Sequence, residues 1–258
     1  MTPTRITFVL ALATASGCGE TSPEAYLESN RVDLLERINA LKKIGAMARA
    51  ADPVTSSSKG AEPGYGPVAL CPLNGNGVSG DCNTIVVYTD TLIAPEDWRE
   101  ISNRSSVGLV RFRHSGAVVR PAQLLAHGAF MGESLDTRDL DAITVVESQA
   151  KPALDQIKWA QRDLEAVKYV VAVRPNKPAS RTKQRLFDAD LFVYEVSSSA
   201  LLASTHIEQT CTDVDYVYAS GSSAGAYHST TDCLDQMVRN QLGASLMTLL
   251  PGISLGAY

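Results

Sequence analysis

Two stretches of the 258-residue chain place residue types at spacings that chemistry uses. The first is Gly221-Ser222-Ser223-Ala224-Gly225, a match to G-x-S-x-G. After a strand, such a turn lifts a serine hydroxyl above a sheet, where an imidazole takes its proton and the oxygen attacks an acyl carbon. Tyr216–Ala219 reads as a strand before it, and a helix follows within about ten residues. The order of groups argues against this chemistry. Esterases of this kind carry their acid and then their histidine after the serine, whereas His228 is the only histidine beyond Ser223 and precedes Asp232 and Asp235. A triad drawing on His114, His127 or His206 would need tertiary approach, because geometry rather than order defines it. Ser223 therefore stands as the nucleophile of an alternative reading, a serine hydrolase or esterase, and the leading reading has no catalytic residue.

The second stretch runs from Arg174 to Arg185 and holds five cations, Arg174, Lys177, Arg181, Lys183 and Arg185, with no acid. It lies between two apolar runs and reads as an exposed loop. Such a loop can touch anionic head groups or an acidic envelope polymer, each cation contributing ~1 kcal/mol near a charged surface. It can equally be a solvated loop that guards a strand end. Arg111, Arg113 and Arg120 extend the patch if their segment lies alongside. Asp188 and Asp190 alternate with Phe187 and Ala189 and are expected to face solvent. The four histidines are scattered, and no cysteine pair has zinc spacing, so neither metal nor cofactor is expected. A net charge of −5 also disfavours nucleic-acid binding.

The cysteines are Cys18, Cys71, Cys82, Cys211 and Cys233. Setting Cys18 apart leaves an even set with three possible pairings, which suits disulfides in an oxidising compartment. The local pairing, Cys71–Cys82 with Cys211–Cys233, is preferred. Cys18 is set apart because of what precedes it. Arg5 supplies a positive charge, Ile6 to Ala15 is an apolar run, and Ala15-Ser16-Gly17 are small. The run is too short to span a bilayer, which takes ~20 residues, and the layout is that of a secretory signal. Small residues ending in a cysteine make the segment resemble the bacterial lipoprotein signal. The resemblance implies a diacylglyceryl thioether on Cys18 with a further N-acyl chain, a mature chain beginning at Cys18, and attachment to one membrane surface. Gly19, where inner-membrane lipoproteins often carry Asp, points to the outer membrane.

The remaining elements follow from periodicity. Ser22-Pro23-Glu24 opens an amphipathic helix over 23–50, with Leu27, Leu34, Ile38, Leu41, Gly45 and Ala48 on one stripe. Residues 51–83 are rich in Gly, Pro and Ser and read as a linker that contains the 71–82 disulfide loop. Asn83–Thr89 is a β-branched strand. Gly108–Arg113 and Ala117–Arg120 read as a hairpin, and a helix starts at Pro121. The stretch Asp136–Ser148 fits a strand or a helix turn, and another helix opens at Pro152. Strands at 169–173, 191–196 and 201–208 form an antiparallel meander, with Leu201, Ala203, Thr205 and Ile207 facing in. A capping box, Ser229 and Asp232, opens the last helix. The expected fold is α+β: an antiparallel meander packed with helices, stapled by disulfides and preceded by an N-terminal amphipathic helix. The expected organisation is signal peptide 1–17, lipid anchor and helix 18–50, linker 51–83 and α+β domain 84–258. The expected role is that of a lipid-anchored bacterial envelope protein, a non-enzymatic binding or structural component. Its expected partners are the membrane and an envelope protein or anionic polymer.

Overall fold

A computed structural model of the chain describes residues 21–71, 78, 82–97, 112–129, 152–176, 184–212, 230–250 and 253–255. Side chains are described throughout these segments except at 113, 184–185, 211–212, 230–235 and 254–255. Cys18, Ser223 and the stretches 136–148 and 216–219 lie outside the described residues.

Helix α1 (Pro23–Ser29) begins as its sequence dictates: the Ser22 hydroxyl accepts from the Ala25 amide at 3.2 Å, and Pro23 stands in the first turn. The expected single helix is broken at Asn30, which ends α1 and begins α2 (Arg31–Ala50). The Asn30 side-chain amide donates to the Tyr26 carbonyl at 2.8 Å, a local bond that competes with helix continuation. Beyond the break the expected stripe holds, and Leu34, Ile38, Leu41, Ile44 and Ala48 are all buried.

The strands are β1 (Ser58–Lys59), β2 (Ala69–Leu70), β3 (Thr84–Tyr88), β4 (Tyr169–Pro175), β5 (Gln184–Glu195), β6 (Leu201–Thr212) and β7 (Ser254–Leu255). Among the described residues they form one sheet in the order β1-β6-β5-β4-β3-β2-β7. The predicted meander is β4-β5-β6, antiparallel throughout, with β1 added antiparallel to β6. The other half corrects the all-antiparallel expectation: β3 pairs parallel with β4 and with β2, and β2 pairs parallel with β7. The α+β class holds with a mixed, mostly antiparallel sheet. The physical reason lies in TIVVY and YVVAV, continuous apolar runs of the kind that parallel strands buried on both faces require.

Helices cover both faces. On one side, Val238, Leu242, Leu246 and Leu249 of α6 (Thr230–Leu249) pack on Val171, Val173, Leu191, Val193 and Ile207. On the other, α2 packs with α3 (Thr89–Ile93), α4 (Gly116–His127) and α5 (Leu154–Ala166) over Ile85, Val87, Val170, Ala172 and Phe192. Double cover explains why Leu202 and Ser204, expected to face out, are also buried.

Two further expectations change. The predicted hairpin's second strand, Ala117–Arg120, is instead helical, a 3₁₀ turn at Arg113–Ser115 running into α4, while residues 108–111 lie outside the described residues. The β-branched pair Val118-Val119 reads locally as strand, but Ala117, Val118, Pro121 and Ala122 fall on one helical stripe that the core selects. Within 51–83, read as a linker, the segments 57–61 and 69–71 are bonded along the sheet. The Ser57 and Ser58 hydroxyls meet Thr205 and Ser204 at 2.8 and 2.7 Å, and the Gly60 and Ala61 amides donate to Leu202 and Leu201 carbonyls. At Gly60 a Cβ would stand 2.0 Å from the Leu201 carbonyl oxygen, so only glycine permits this approach. The strap ends at the Cys71–Cys82 disulfide, formed as expected, which closes the β2-to-β3 turn with its Cα atoms 4.9 Å apart.

Gly45 sits where α2 crosses α3. A Cβ there would lie 2.7 Å from Leu92 Cβ, and Leu92 is fully buried. Alanine favours helix by about 1 kcal/mol, yet overpacking of a tight core costs about 1–3 kcal/mol. Gly45→Ala is therefore expected to lower the urea midpoint; a raised midpoint would show that the crossing has room.

Candidate functional site

The most organised polar cluster sits at one edge of the meander and follows from register. Arg174 on β4 stands opposite Asp190 on β5, and Asp190 stands opposite His206 on β6. Three adjacent strands thus place a cation, an acid and an imidazole in one row, at the distance where cross-strand side chains meet. Asp190 is 1% exposed. Its carboxylate accepts from Arg174 at 2.7 Å, from His206 Nδ1 at 3.0 Å, from the Asn176 amide at 3.1 Å and from the Val54 backbone amide at 3.4 Å. Burial opposes the charge, but those hydrogen bonds outweigh it and hold the Asp190 pKa below the usual carboxylate value. Asp188 lies beside it, accepting from the Asn176 amide at 3.1 Å and facing His206 Nε2 at 3.9 Å. The expectation that both aspartates face solvent is corrected: the alternation is real, but the end of α2 and the strap lie over the face that carries them.

Arg174 explains what the cluster holds. One guanidinium nitrogen donates to the carbonyls of Ala48 at 3.1 Å and Arg49 at 3.3 Å, and also to that of Ala51. The other donates to the Asp52 carbonyl at 3.1 Å as well as to Asp190. The group lies over the Phe192 ring, 5.0 Å from its centroid. The Ala48 and Arg49 carbonyls are orphan acceptors of the α2 C-terminus, the negative end of its dipole, and those of Ala51 and Asp52 follow directly after it. Arg174, read from sequence as a loop cation, is the cap of α2, ion-paired beneath it.

An Asp–His pair can orient an imidazole for general base catalysis when the outer ring nitrogen faces a nucleophile. Here the outer nitrogen of His206 faces Asp188. That geometry ties β5 to β6 and leaves no nucleophile at the outer nitrogen among the described residues. Of the other predicted sites, Lys177, Arg181 and Lys183 lie outside the described residues, and Arg185 is in β5 opposite Cys211 with its side chain outside them. Ser223 and Cys18 lie outside them too.

His114 is fully buried, and its Nδ1 accepts from the Val86 amide at 3.0 Å. Strand β2 is only two residues long, so the ring supplies an acceptor that a longer partner strand would have given β3. A second polar group secures the strap. Glu195 accepts from the Gly64 amide at 2.8 Å and from Ser198, and the Tyr169 hydroxyl donates to the Gly66 carbonyl at 3.0 Å while accepting from the Tyr65 amide at 3.2 Å. Beneath the strap is a cavity of about 280 Å³, lined by Lys59, Glu62, Val68, Leu202, Leu249 and Ile253. Sequence reasoning missed Asn176, Asp188, Asp190 and His206 as one cluster. The signal was the strand register, which places 174, 190 and 206 in a row once the meander is aligned.

No known protein family matches the chain, and neither curated proteins nor solved structures give a match.

Removing one member of a buried, hydrogen-bonded ion pair costs about 3–5 kcal/mol, so Asp190→Asn is expected to destabilise the fold by a cost of that order near pH 7. Because the folded-state pKa is lowered, the stabilisation is present above the unfolded value of about 4 and lost as pH falls through the folded value. Denaturation from pH 7 to pH 3 should therefore show the variant and the natural chain converging in acid. A gap independent of pH would show that the carboxylate charge contributes nothing.

Proposed function

We propose that the chain is a lipid-anchored protein of the bacterial cell envelope, held by acyl chains on Cys18 to the outer membrane and serving as a non-enzymatic binding or structural component. The observation that carries the reading is the conjunction of the 5–18 segment with the Cys71–Cys82 disulfide, since a protein that keeps a structural disulfide works in an oxidising compartment. No helix among the described residues is long and apolar enough to cross a membrane. Two or more acyl chains give stable attachment without one. The non-enzymatic role is supported by the use made of the best-built polar cluster, where Asp190 and Arg174 direct their hydrogen bonds into the α2 cap and the strand row. The expected partners are an anionic envelope polymer, through Lys177, Arg181, Lys183 and Arg185, or a neighbouring envelope protein. Cys211, at the end of β6, and Cys233, in the first turns of α6, are the proposed second disulfide; β6 and α6 pack together.

Mass spectrometry of the mature N-terminus tests the anchor: Cys18 is expected to begin the chain and to carry diacylglyceryl and N-acyl groups. An unmodified thiol, or a chain that still begins at Met1, overturns the reading. The Gly221–Gly225 motif keeps the serine hydrolase as the second reading. Fluorophosphonate labelling of the native protein is expected to be absent; labelling that disappears in Ser223→Ala would replace the binding role by the hydrolase. A non-reducing peptide map is expected to join the Cys211 and Cys233 peptides to each other, and a free thiol at either position would refute that pair.

A further inference from the structure

Seven large apolar side chains are exposed among the described residues: Tyr65 on the strap, Met237 and Met247 on α6, and four on α2 and α5. Val32 (66% exposed), Leu35 (38%), Met47 (38%) and Trp159 (63%) all belong to α2 and α5, the helical layer on one side of the sheet. On α2 the face turned from the core carries Val32, Asn39, Lys43, Ala46, Met47 and Ala50, all exposed. On α5 the buried stripe is Ile157, Ala160 and Leu164, so Trp159 projects away from it, next to exposed Lys158 and Arg162.

The same layer carries α1, the first described helix. From Cys18 to the Ser22 cap is four residues, which reach at most about 15 Å when extended. α1 is fixed to this layer from there on. Tyr26 and Leu27 pack on Leu124, Ile157 and Ala160, Lys158 Nζ stands 5.6 Å from the Tyr26 ring centroid, and Gln161 donates to Asn30 at 3.2 Å. A lipid on Cys18 therefore holds α1, the start of α2 and the first turns of α5 close to the bilayer.

We infer that the outer face of α2 and α5 lies on the membrane surface that Cys18 is anchored in, with Trp159 and Val32 at head-group level. The inference rests on the lipid-anchored reading and adds an orientation to it. Tryptophan is the side chain most suited to that level, apolar in body with one N–H donor, and lysine and arginine beside it keep their charge among the phosphates while their stems lie on apolar surface. Lys43, Lys158 and Arg162 supply the cations. Asp33, Glu36 and Asp155 share the face and Glu24 and Glu28 stand exposed on α1, which sets the contact at the polar surface rather than in the hydrocarbon. With α2 and α5 down, the far side of the sheet, covered by α6 with Met237 and Met247, points away from the membrane.

The chain has two tryptophans, so Trp98→Phe leaves Trp159 as the sole emitter. The full lipidated protein is reconstituted into phospholipid vesicles with brominated acyl chains, and its mass confirms the diacylglyceryl group. Trp159 is expected to lose emission to the brominated lipid, to shift to shorter wavelength and to become less accessible to aqueous iodide. A second protein, Trp98→Phe with Trp159→Phe and Met247→Trp, reports from the α6 side and is expected to show none of these changes. Equal behaviour of the two emitters in protein shown to be lipidated overturns the orientation and leaves the anchor standing. Protein that carries no lipid overturns both.

Discussion

The Arg174–Asp190 ion pair is the contact on which the arrangement of layers depends. A guanidinium that reaches four carbonyls at the end of α2 while resting on a buried carboxylate joins a helix terminus to the middle of a sheet. Neither group would be tolerated there alone. An unpaired carboxylate 1% exposed would neutralise, and an uncapped helix end over an apolar sheet would leave its last carbonyls without donors. Paired, they fix where α2 stops, and α2 in turn carries the apolar stripe that covers Val170, Ala172 and Phe192. The pair contributes less by its own free energy than by placing that apolar area, which is where most of the stabilisation resides.

The rest of the sheet meets the same demand, that every buried backbone group find a partner. Among the described residues β3 has a two-residue neighbour on one side, and His114 supplies an acceptor to the Val86 amide beyond it. β6 would be an open edge, and the 57–61 segment covers it with backbone and hydroxyl bonds. Glu195 and Tyr169 hold the strap down farther along, and Cys71–Cys82 closes it. Ser58–Lys59 and Ala69–Leu70, within a stretch whose composition reads as a tether, are thereby part of the sheet.

Much of this was legible in the sequence and some was not, for identifiable reasons. The meander, the α2 stripe, the last helix and the Cys71–Cys82 loop follow from periodicity and short turns. The parallel β3–β4 pair could not be read from either strand alone, because pairing across about eighty residues leaves no local mark beyond an unbroken apolar run. Val118-Val119 favoured strand until the stripe with Pro121 and Ala122 was buried, a case of tertiary packing overriding propensity. The cluster was missed because Asp188 and Asp190 look like one polar face of an edge strand. Only the end of α2, more than a hundred residues earlier in the chain, makes that face an interior. Sequence offered no reason to look for a helix cap in Arg174, since its neighbours Lys177 to Arg185 made it look like one charge of a loop.

The helices of one layer keep a fixed place on the core through these contacts. α1 is locked to α5, and α2 is locked to the sheet through Arg174. Hydrogen exchange of the natural chain and Arg174→Met, followed by mass spectrometry, tests it most directly. Amides in the last two turns of α2 should lose protection in the variant while those of β4, β5 and β6 keep theirs. Unchanged protection at the end of α2 would contradict the role given to the pair.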